Sequence, residues 1–342
     1  MRRSFALAAF PQGQTLKKPV RLKVGVEGLL DAAGTIACLC TLTGFMGSFW
    51  WIFDLTSHFR VQYSVALIGL AAGLCCCRKF KKALVFAVFA AVNTAVVFPY
   101  LFMKGGELRL TQRVLRLCLI NVRTENQRYE LVETFIAETD PDAVVLEEVN
   151  TLWLQKLAGL QRSFPYSALE SREDNFGIAL FSKHLLRNAE IVYIGDSELP
   201  SVVAQLEVKG RLINILGTHP LPPGSREESA RRNDQLAAIP NFLVQQTGLV
   251  VLLGDLNVTP WCYYFKKLVR ESGLKDTSLG WGIQPSWPAM FLPLRIPIDH
   301  CLVSPDLKVV QRKIGRDVGS DHLPVVVDFG FTEQVEDGRT HP

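Results

Sequence analysis

The sequence predicts two units: a membrane domain of three spanning helices, followed by one α/β or α+β sandwich domain. Three observations carry this. The first third holds three long apolar runs. The remainder alternates short apolar runs with charged, helix-periodic stretches. Polar and ionisable residues recur at the downstream ends of those short runs. The chain has 342 residues, 48% hydrophobic and 20% charged, with a mean hydropathy of +0.17, which is high for a wholly soluble chain of this length. Such an apolar content excludes global disorder. Gly 25 and Pro 18 without a period exclude a collagen-like chain.

The net charge of +4 is unevenly spread. Residues 1–110 carry 13 Lys+Arg against 4 Asp+Glu, a net +9. Residues 111–342 carry 24 against 29, a net −5. The mildly acidic remainder argues against a module that holds nucleic acid mainly by neutralising phosphates.

The membrane domain is expected over residues 1–104, with spans at about 32–53, 61–77 and 83–103. A bilayer core takes about 20 apolar helical residues, with a lower limit of about 17, so the second run only just qualifies. Soluble core helices rarely come as three charge-free runs joined by short charged connectors. A signal peptide has a shorter apolar region, placed earlier. Arg2, Arg3, Lys17, Lys18, Arg21 and Lys23 precede the first run, and Arg78, Lys79, Lys81 and Lys82 lie between the second and third. The loop between the first and second carries only Arg60. Basic connectors face the cytoplasm. The expectation is therefore a multi-pass cell-membrane protein whose residues from about 105 lie outside the cytoplasm, in the periplasm or the extracellular space. Trp50, Trp51, Tyr100 and Phe102 near span ends suit interfacial anchoring. Cys38, Cys40, Cys75, Cys76 and Cys77 lie in the spans, and no CxxC or zinc spacing occurs.

The second domain is expected over 105–331, ahead of a loose polar tail at 332–342. Strands are read at 114–122, 143–146, 177–181, 189–194, 202–208, 212–216, 249–253, 298–303, 307–314 and 324–329. Helices are read at 129–139, within 226–246 and at 263–272. Lys209-Gly210 fits a hairpin turn. Many strands with few helices imply a sandwich rather than a doubly wound sheet.

The chemistry is positional. Asn121, Glu147-Glu148, His219, Asp255-Leu-Asn257 and Asp299-His300 stand at strand ends, and Asp321-His322 precedes the last strand. Any one alone reads as a loop residue satisfied by water. Clustered carboxylates repel, and a divalent cation removes that repulsion. Oxygen donors without thiolates point to Mg²⁺, or Mn²⁺ or Ca²⁺, rather than zinc. Strand alternation turns Glu147 and Glu148 opposite ways. His58 and His184 have no constellation and read as surface or interfacial residues. Arg231 and Arg232 read as a solvated helix face. For the apolar stretch 290–294, core packing is the default; the alternatives are a cover over the site or a segment dipping into the bilayer.

Pro141-Asp-Ala-Val-Val-Leu-Glu-Glu148, Gly254-Asp-Leu-Asn257, Pro297-Ile-Asp-His300 and Gly319-Ser-Asp-His-Leu-Pro324 occur in that order. Together with Asn121 and Asn175-Phe-Gly, they resemble the endonuclease/exonuclease/phosphatase superfamily, in its membrane-tethered bacterial type. The resemblance spans about 113–329. It implies a four-layer α/β sandwich of two mixed sheets flanked by helices, and metal-dependent hydrolysis of a phosphate ester. It makes Glu148 the principal metal ligand, with Asn121 and Asp321 beside it. Asp255 would orient or deprotonate the attacking water, and Asn257 would donate to phosphoryl oxygens. His322, paired with Asp299, would contact the scissile phosphate and act in proton transfer. His219 would protonate the leaving oxygen or bind phosphate. Asn175 and Trp287 would line the substrate site, though for each a purely structural role explains the residue about as well. His300 would stand behind the site. The implied function is a phosphodiesterase, most simply a nuclease. The alternatives are a phospholipid or sphingomyelin headgroup hydrolase and a phosphomonoesterase. Partners would be the phosphate-ester substrate, nucleic acid or lipid headgroup, and membrane lipid, with no obligate protein partner. A catalytically dead binding module is disfavoured, because every motif position is filled.

Overall fold

The computed structural model describes residues 25–102 and 113–331. The expected boundary near 104, the first basic segment, Met103 and the tail lie outside them.

Four helices come first: α1 (Val26–Thr43), α2 (Trp51–Ser57), α3 (Arg60–Cys76) and α4 (Phe80–Phe102). They offer two membrane spans, or three if α2 and α3 together form one. Only α1 and α4 are each long and apolar enough to cross a membrane; α2 and α3 reach that length only together, bent by 63° at their junction. The run 32–53 is not one helix. It ends at Thr43, and the chain turns to α2 at Trp51. Gly44, the C-cap of α1, packs closely against the next elements: a Cβ there would sit 2.7 Å from the Arg60 guanidinium and 3.0 Å from Ser57 Cα. Buried Arg60 donates to Thr41 O at 2.8 Å and Asn93 Oδ1 at 3.2 Å, while Asn93 Nδ2 donates to Thr41 Oγ1 at 2.8 Å. The polar interruptions of three helices thus bond to one another rather than to lipid, with Arg60 Nε left without an acceptor. At the other end of the bundle, Lys79 pairs with Glu27, and Lys82 with Asp31.

The second domain has two six-stranded sheets. The first contains β1 (Leu115–Asn121), β2 (Ala143–Glu147), β3 (Tyr166–Glu170), β4 (Ile178–Ser182), β11 (Leu307–Ile314) and β12 (Val325–Phe331), in the order β11-β12-β1-β2-β4-β3. The second contains β5 (Arg187–Tyr193), β6 (Pro200–Val208), β7 (Arg211–Thr218), β8 (Leu249–Asp255), β9 (Lys275–Asp276) and β10 (Asp299–Val303), in the order β5-β6-β7-β8-β10-β9. Each sheet has one central parallel pair, β1–β2 and β7–β8, and antiparallel neighbours outside it. Helices α5 (Tyr129–Thr139) and α7 (Arg226–Val244) make the two crossovers, and α6 (Thr151–Lys156) and α8 (Tyr263–Ser272) complete the outer layers. Alternation sorts each strand. Leu117 and Leu119 face the other sheet with Ile215 and Leu253, whereas Cys118 and Ile120 face α5 with Val132 and Ile136. Leu252 and Leu216 pack outward on Leu236 and Phe265 of α7 and α8. Strands apolar on both faces read as continuous apolar runs, which is why they stood out in the sequence. The result is the four-layer sandwich.

This topology positions the site. Parallel pairs deliver their downstream ends to one edge. Each antiparallel neighbour starts where its partner ends: Asp299 opens β10 directly opposite Asp255, which closes β8. Within the second sheet, β7 and β8 approach so closely at this edge that a Cβ on Gly254 would lie 1.9 Å from Thr218 O.

The helical domain docks on the sandwich through α2. Asp54 Oδ2 and Arg232 Nη2 form an ion pair at 2.6 Å, with both side chains at most 1% exposed. The Cys262 thiol donates to Asp54 Oδ1, and Arg232 Nη1 donates to Asn257 O at 3.0 Å. His58 Nδ1 lies 3.1 Å from Thr259 Oγ1, and Trp261 Nε1 donates to His58 O. Tyr100 of α4 packs edge-on against Trp261. The expectation of a solvated Arg232 is therefore corrected, and His58, read as surface or interfacial, is buried where the two domains meet. Asp54→Ala leaves the Arg232 guanidinium buried without its partner, at an expected cost of about 3–5 kcal/mol. Thermal unfolding of the full-length chain in detergent should show a drop in Tm of several degrees; an unchanged Tm would mean that the pair does not join the domains.

Candidate active site

One cavity of about 520 Å³ opens at the edge where the strand ends meet. Of the ten residues singled out from the sequence, Glu148, Asn175, His219, Asp255, Asn257, Trp287, Asp321 and His322 line it. Asn121 and Asp299 stand behind, each holding a residue that does line it.

Glu147 and Glu148 point to different surroundings, because β2 ends at Glu147. Glu147 is fully buried, and its carboxylate accepts the Asp255 N–H at 3.0 and 3.3 Å. Burial, with Asp255 next, holds its pKa well above the carboxylate range. The chain then turns at Glu148 with φ 61, a left-handed conformation that throws this side chain into the cavity. Asn121 Nδ2 donates to Glu148 Oε1 at 2.8 Å, and the Thr124 N–H donates to Oε2 at 3.3 Å. Burial raises the Glu148 pKa, partly offset by the Asn121 hydrogen bond.

Asp255 ends β8 and its Oδ1 accepts the Asn257 N–H at 3.0 Å. Asn257 is itself left-handed, φ 53, and its Nδ2 is held by Pro220 O at 3.0 Å. His322 Nδ1 lies 2.9 Å from Asp299 Oδ2, and its Nε2 lies 3.5 Å from Asp255 Oδ2. Burial works to lower the His322 pKa, but the Asp299 and Asp255 carboxylates outweigh it and push it up to about 10. Asp299 responds in the opposite sense: burial would raise it, and His322 holds it below the usual range. Burial, only partly offset by His322, pushes Asp255 up to about 8. His219 Nε2 lies 3.6 Å from Asp255 Oδ2. Burial and the neighbouring His322 charge lower its pKa to about 3, so it is neutral. Near neutral pH His322 thus holds a proton and His219 does not.

Trp287 Nε1 donates to Asp321 Oδ2 at 3.1 Å, and Ser286 Oγ accepts the Ile298 and Asp299 N–H groups at 3.4 Å. His300 points away, to Val258 O at 2.7 Å, behind the site as expected. His184 lies outside, 3.2 Å from Asp142. Sequence reading missed Phe176, Leu55, His58 and Phe59, which also line the cavity. Phe176 follows Asn175 directly and was within reach of the motif. The other three come from the helical domain, and no local signal marks them.

The donors suit a hard divalent cation. Glu148 and Asp321 bring two carboxylates to one cavity with the Asn121 amide at their back, and no thiol lines it. Asp255, Asp299 and His322 also bring ligand atoms within 4.8 Å of one another, but there His322 Nδ1 is already engaged by Asp299.

Solved structures share this architecture. The endonuclease/exonuclease/phosphatase from Beutenbergia cavernae is 21% identical, with a TM-score of 0.53 over 64% of this chain and 72% of that one. The human Nocturnin catalytic domain, solved with a bound sulfate anion, is 20% identical, with a TM-score of 0.53 over 65% and 96%. Caenorhabditis elegans TDP2 is 18% identical, with a TM-score of 0.52 over 63% and 97%. No curated protein matches the sequence. A family model described as Endonuclease/Exonuclease/phosphatase matches residues 118–322, from inside β1 to His322. That match covers more than half of the chain and every strand end that builds the cavity, so the chain belongs to the endonuclease/exonuclease/phosphatase family of phosphoric ester hydrolases.

Proposed function

We propose that this chain is a membrane-anchored, divalent-metal-dependent phosphodiesterase that hydrolyses its substrate by in-line attack of water. The observation that carries this is the convergence of Glu148, Asp255, Asn257, Asp321 and His322 on one cavity, with His322 fastened to Asp299 at 2.9 Å. Glu148 and Asp321, supported by Asn121, would hold Mg²⁺, Mn²⁺ or Ca²⁺. When bound, the ion offsets charge that develops on the phosphoryl oxygens. Asp255, more basic than an ordinary carboxylate because it is buried, orients and deprotonates the attacking water. Asn257 donates to a phosphoryl oxygen, with its backbone held by Asp255 and its amide by Pro220. Protonated His322 faces the scissile phosphate and supplies the positive charge and the proton the departing oxygen needs. Neutral His219 lines the wall beside Asp255, with the Phe176 ring at 5.3 Å. Asn175 and Trp287 border the space for the organic part of the substrate.

We place the protein in a cell membrane as a multi-pass chain, with its catalytic domain outside the cytoplasm. Supporting this, Lys79 and Lys82 gather at the Glu27 end of α1, and the sandwich packs against the opposite end of the bundle, at α2 and Tyr100. Basic connectors face the cytoplasm.

EDTA should abolish hydrolysis of bis(p-nitrophenyl) phosphate by the full-length protein, and Mg²⁺ or Mn²⁺ should restore it; activity that survives EDTA would refute metal dependence. Glu148→Gln should lose at least about 10²-fold in kcat/KM. Glu147→Gln should stay within about fivefold of wild type, because its amide oxygen still accepts the Asp255 N–H. Equal losses in the two variants would mean that the roles are assigned wrongly. A tag after residue 342 should be removed by protease added to intact cells whose outer barrier has been opened; protection of the tag would invert the topology.

A further inference from the structure

The helical domain builds part of the catalytic cavity. Leu55 from α2, with His58 and Phe59 from the α2–α3 junction, faces Glu148, Asp255 and His322 across it. Ile296 and Ile298 add to this apolar side. Among the described residues, no Lys or Arg lines the cavity. A polynucleotide presents a row of phosphates, and sites that hold one track its backbone with cations and aromatic platforms. Here the space next to the acid cluster is instead walled by aliphatic and aromatic side chains. It fits one phosphodiester with apolar groups beside it.

A second observation places the mouth of this cavity. The segment before Ile296 leaves Met290, Phe291, Leu292 and Leu294 exposed, at 89%, 53%, 68% and 48%. Core packing, the default expectation for this stretch, is therefore set aside. The segment lies against the helical domain: Gln62 Nε2, in the first turn of α3, donates to Arg295 O at 3.0 Å. Phe45, Phe49 and Trp50 are also exposed, and Phe45 packs under the Arg60 guanidinium that opens α3. Both apolar sets thus sit at the sandwich-facing end of helices whose own outer surfaces are apolar. An aromatic and aliphatic rim at the end of a span is the composition of a bilayer interface.

We infer that the substrate is a phosphodiester carried on a bilayer lipid, admitted from the membrane surface between the α2–α3 junction and the 290–296 segment. The headgroup phosphate meets Asp255 and His322, and the lipid's apolar part runs past Leu55, Phe59 and Ile296. Water adds to phosphorus, one ester P–O bond breaks, and the departing oxygen takes up a proton. The products are a phosphate monoester and an alcohol. This rests on the phosphodiesterase reading above.

The test uses the full-length protein reconstituted with Mg²⁺ or Mn²⁺ and three substrates. These are vesicles of phosphatidylcholine, phosphatidylethanolamine, phosphatidylglycerol and sphingomyelin; soluble bis(p-nitrophenyl) phosphate; and a single-stranded oligonucleotide. Mass spectrometry should find the monoester and alcohol from at least one vesicle lipid. The double variant Phe291→Ser/Leu292→Ser alters exposed residues that do not line the cavity. It should lose at least about tenfold on vesicles while staying within about twofold on the soluble ester, because only the lipid must be reached through the interface. Hydrolysis of the soluble ester with no lipid turnover would overturn the inference and leave the phosphodiesterase reading intact. So would faster cleavage of the oligonucleotide than of lipid, or an unchanged vesicle rate in the double variant. Inactivity on all three substrates would strike the phosphodiesterase reading itself.

Discussion

The Glu147 carboxylate, fully buried, accepts the backbone N–H of Asp255 from the opposite sheet. It is the contact on which the rest of the site depends. A buried carboxyl without a donor is costly, so the bond fixes how the two sheet edges meet. Gly254 leaves the room this needs, since a Cβ there would crowd Glu147 Oε1 to 3.1 Å as well as Thr218 O. With Glu147 spent on architecture, the chain turns left-handed at the next residue and Glu148 enters the cavity. On the other strand, Asp255 is fixed by its backbone and presents its side chain to His219 and His322. One inter-sheet hydrogen bond thus sets the spacing between the carboxylate that suits a cation and the carboxylate that suits a water.

A second layer of support comes from the helices. Arg232 reaches in two directions, to Asp54 of α2 and to the backbone of Asn257. His58 bonds near Thr259 and Trp261 on the same loop. The docking surface of the helical domain is therefore the back of the loop that carries Asn257. Moving one against the other would disturb the cavity wall as well as the interface. A catalytic domain tied this way is held in one orientation to its helices rather than swinging on a tether.

Much of the sandwich was legible in the sequence, for a reason visible in the burial. Strands such as β2, β4 and β8 are covered on both faces, so they read as continuous apolar runs that end sharply. Helix α5 is found at the expected 129–139, and α8 at 263–272. Strand β3 was missed because it is an edge strand, mostly exposed, with no apolar alternation to betray it. Helix α6 was missed because it is short, started by Asn150 accepting the Trp153 N–H rather than by any long periodic pattern. The first apolar run reads as one continuous helix in hydropathy, which does not register the break between Thr43 and Trp51.

The sequence alone determined the sandwich class and the strand-end placement of the acidic and amide residues, because strand period and motif order are local properties of the chain. Only the tertiary structure decided that Asn121 and Asp299 stand behind the cavity, that Glu148 enters it while Glu147 is buried, that His322 is pushed towards the protonated form and His219 towards the neutral one, and that Arg232 is buried against Asp54. It alone brought Leu55, His58 and Phe59 to the catalytic cavity. The physical reason is the same in each case. Burial, charge coupling and cross-domain contact depend on atoms far apart in the chain, and no window of neighbouring residues contains them.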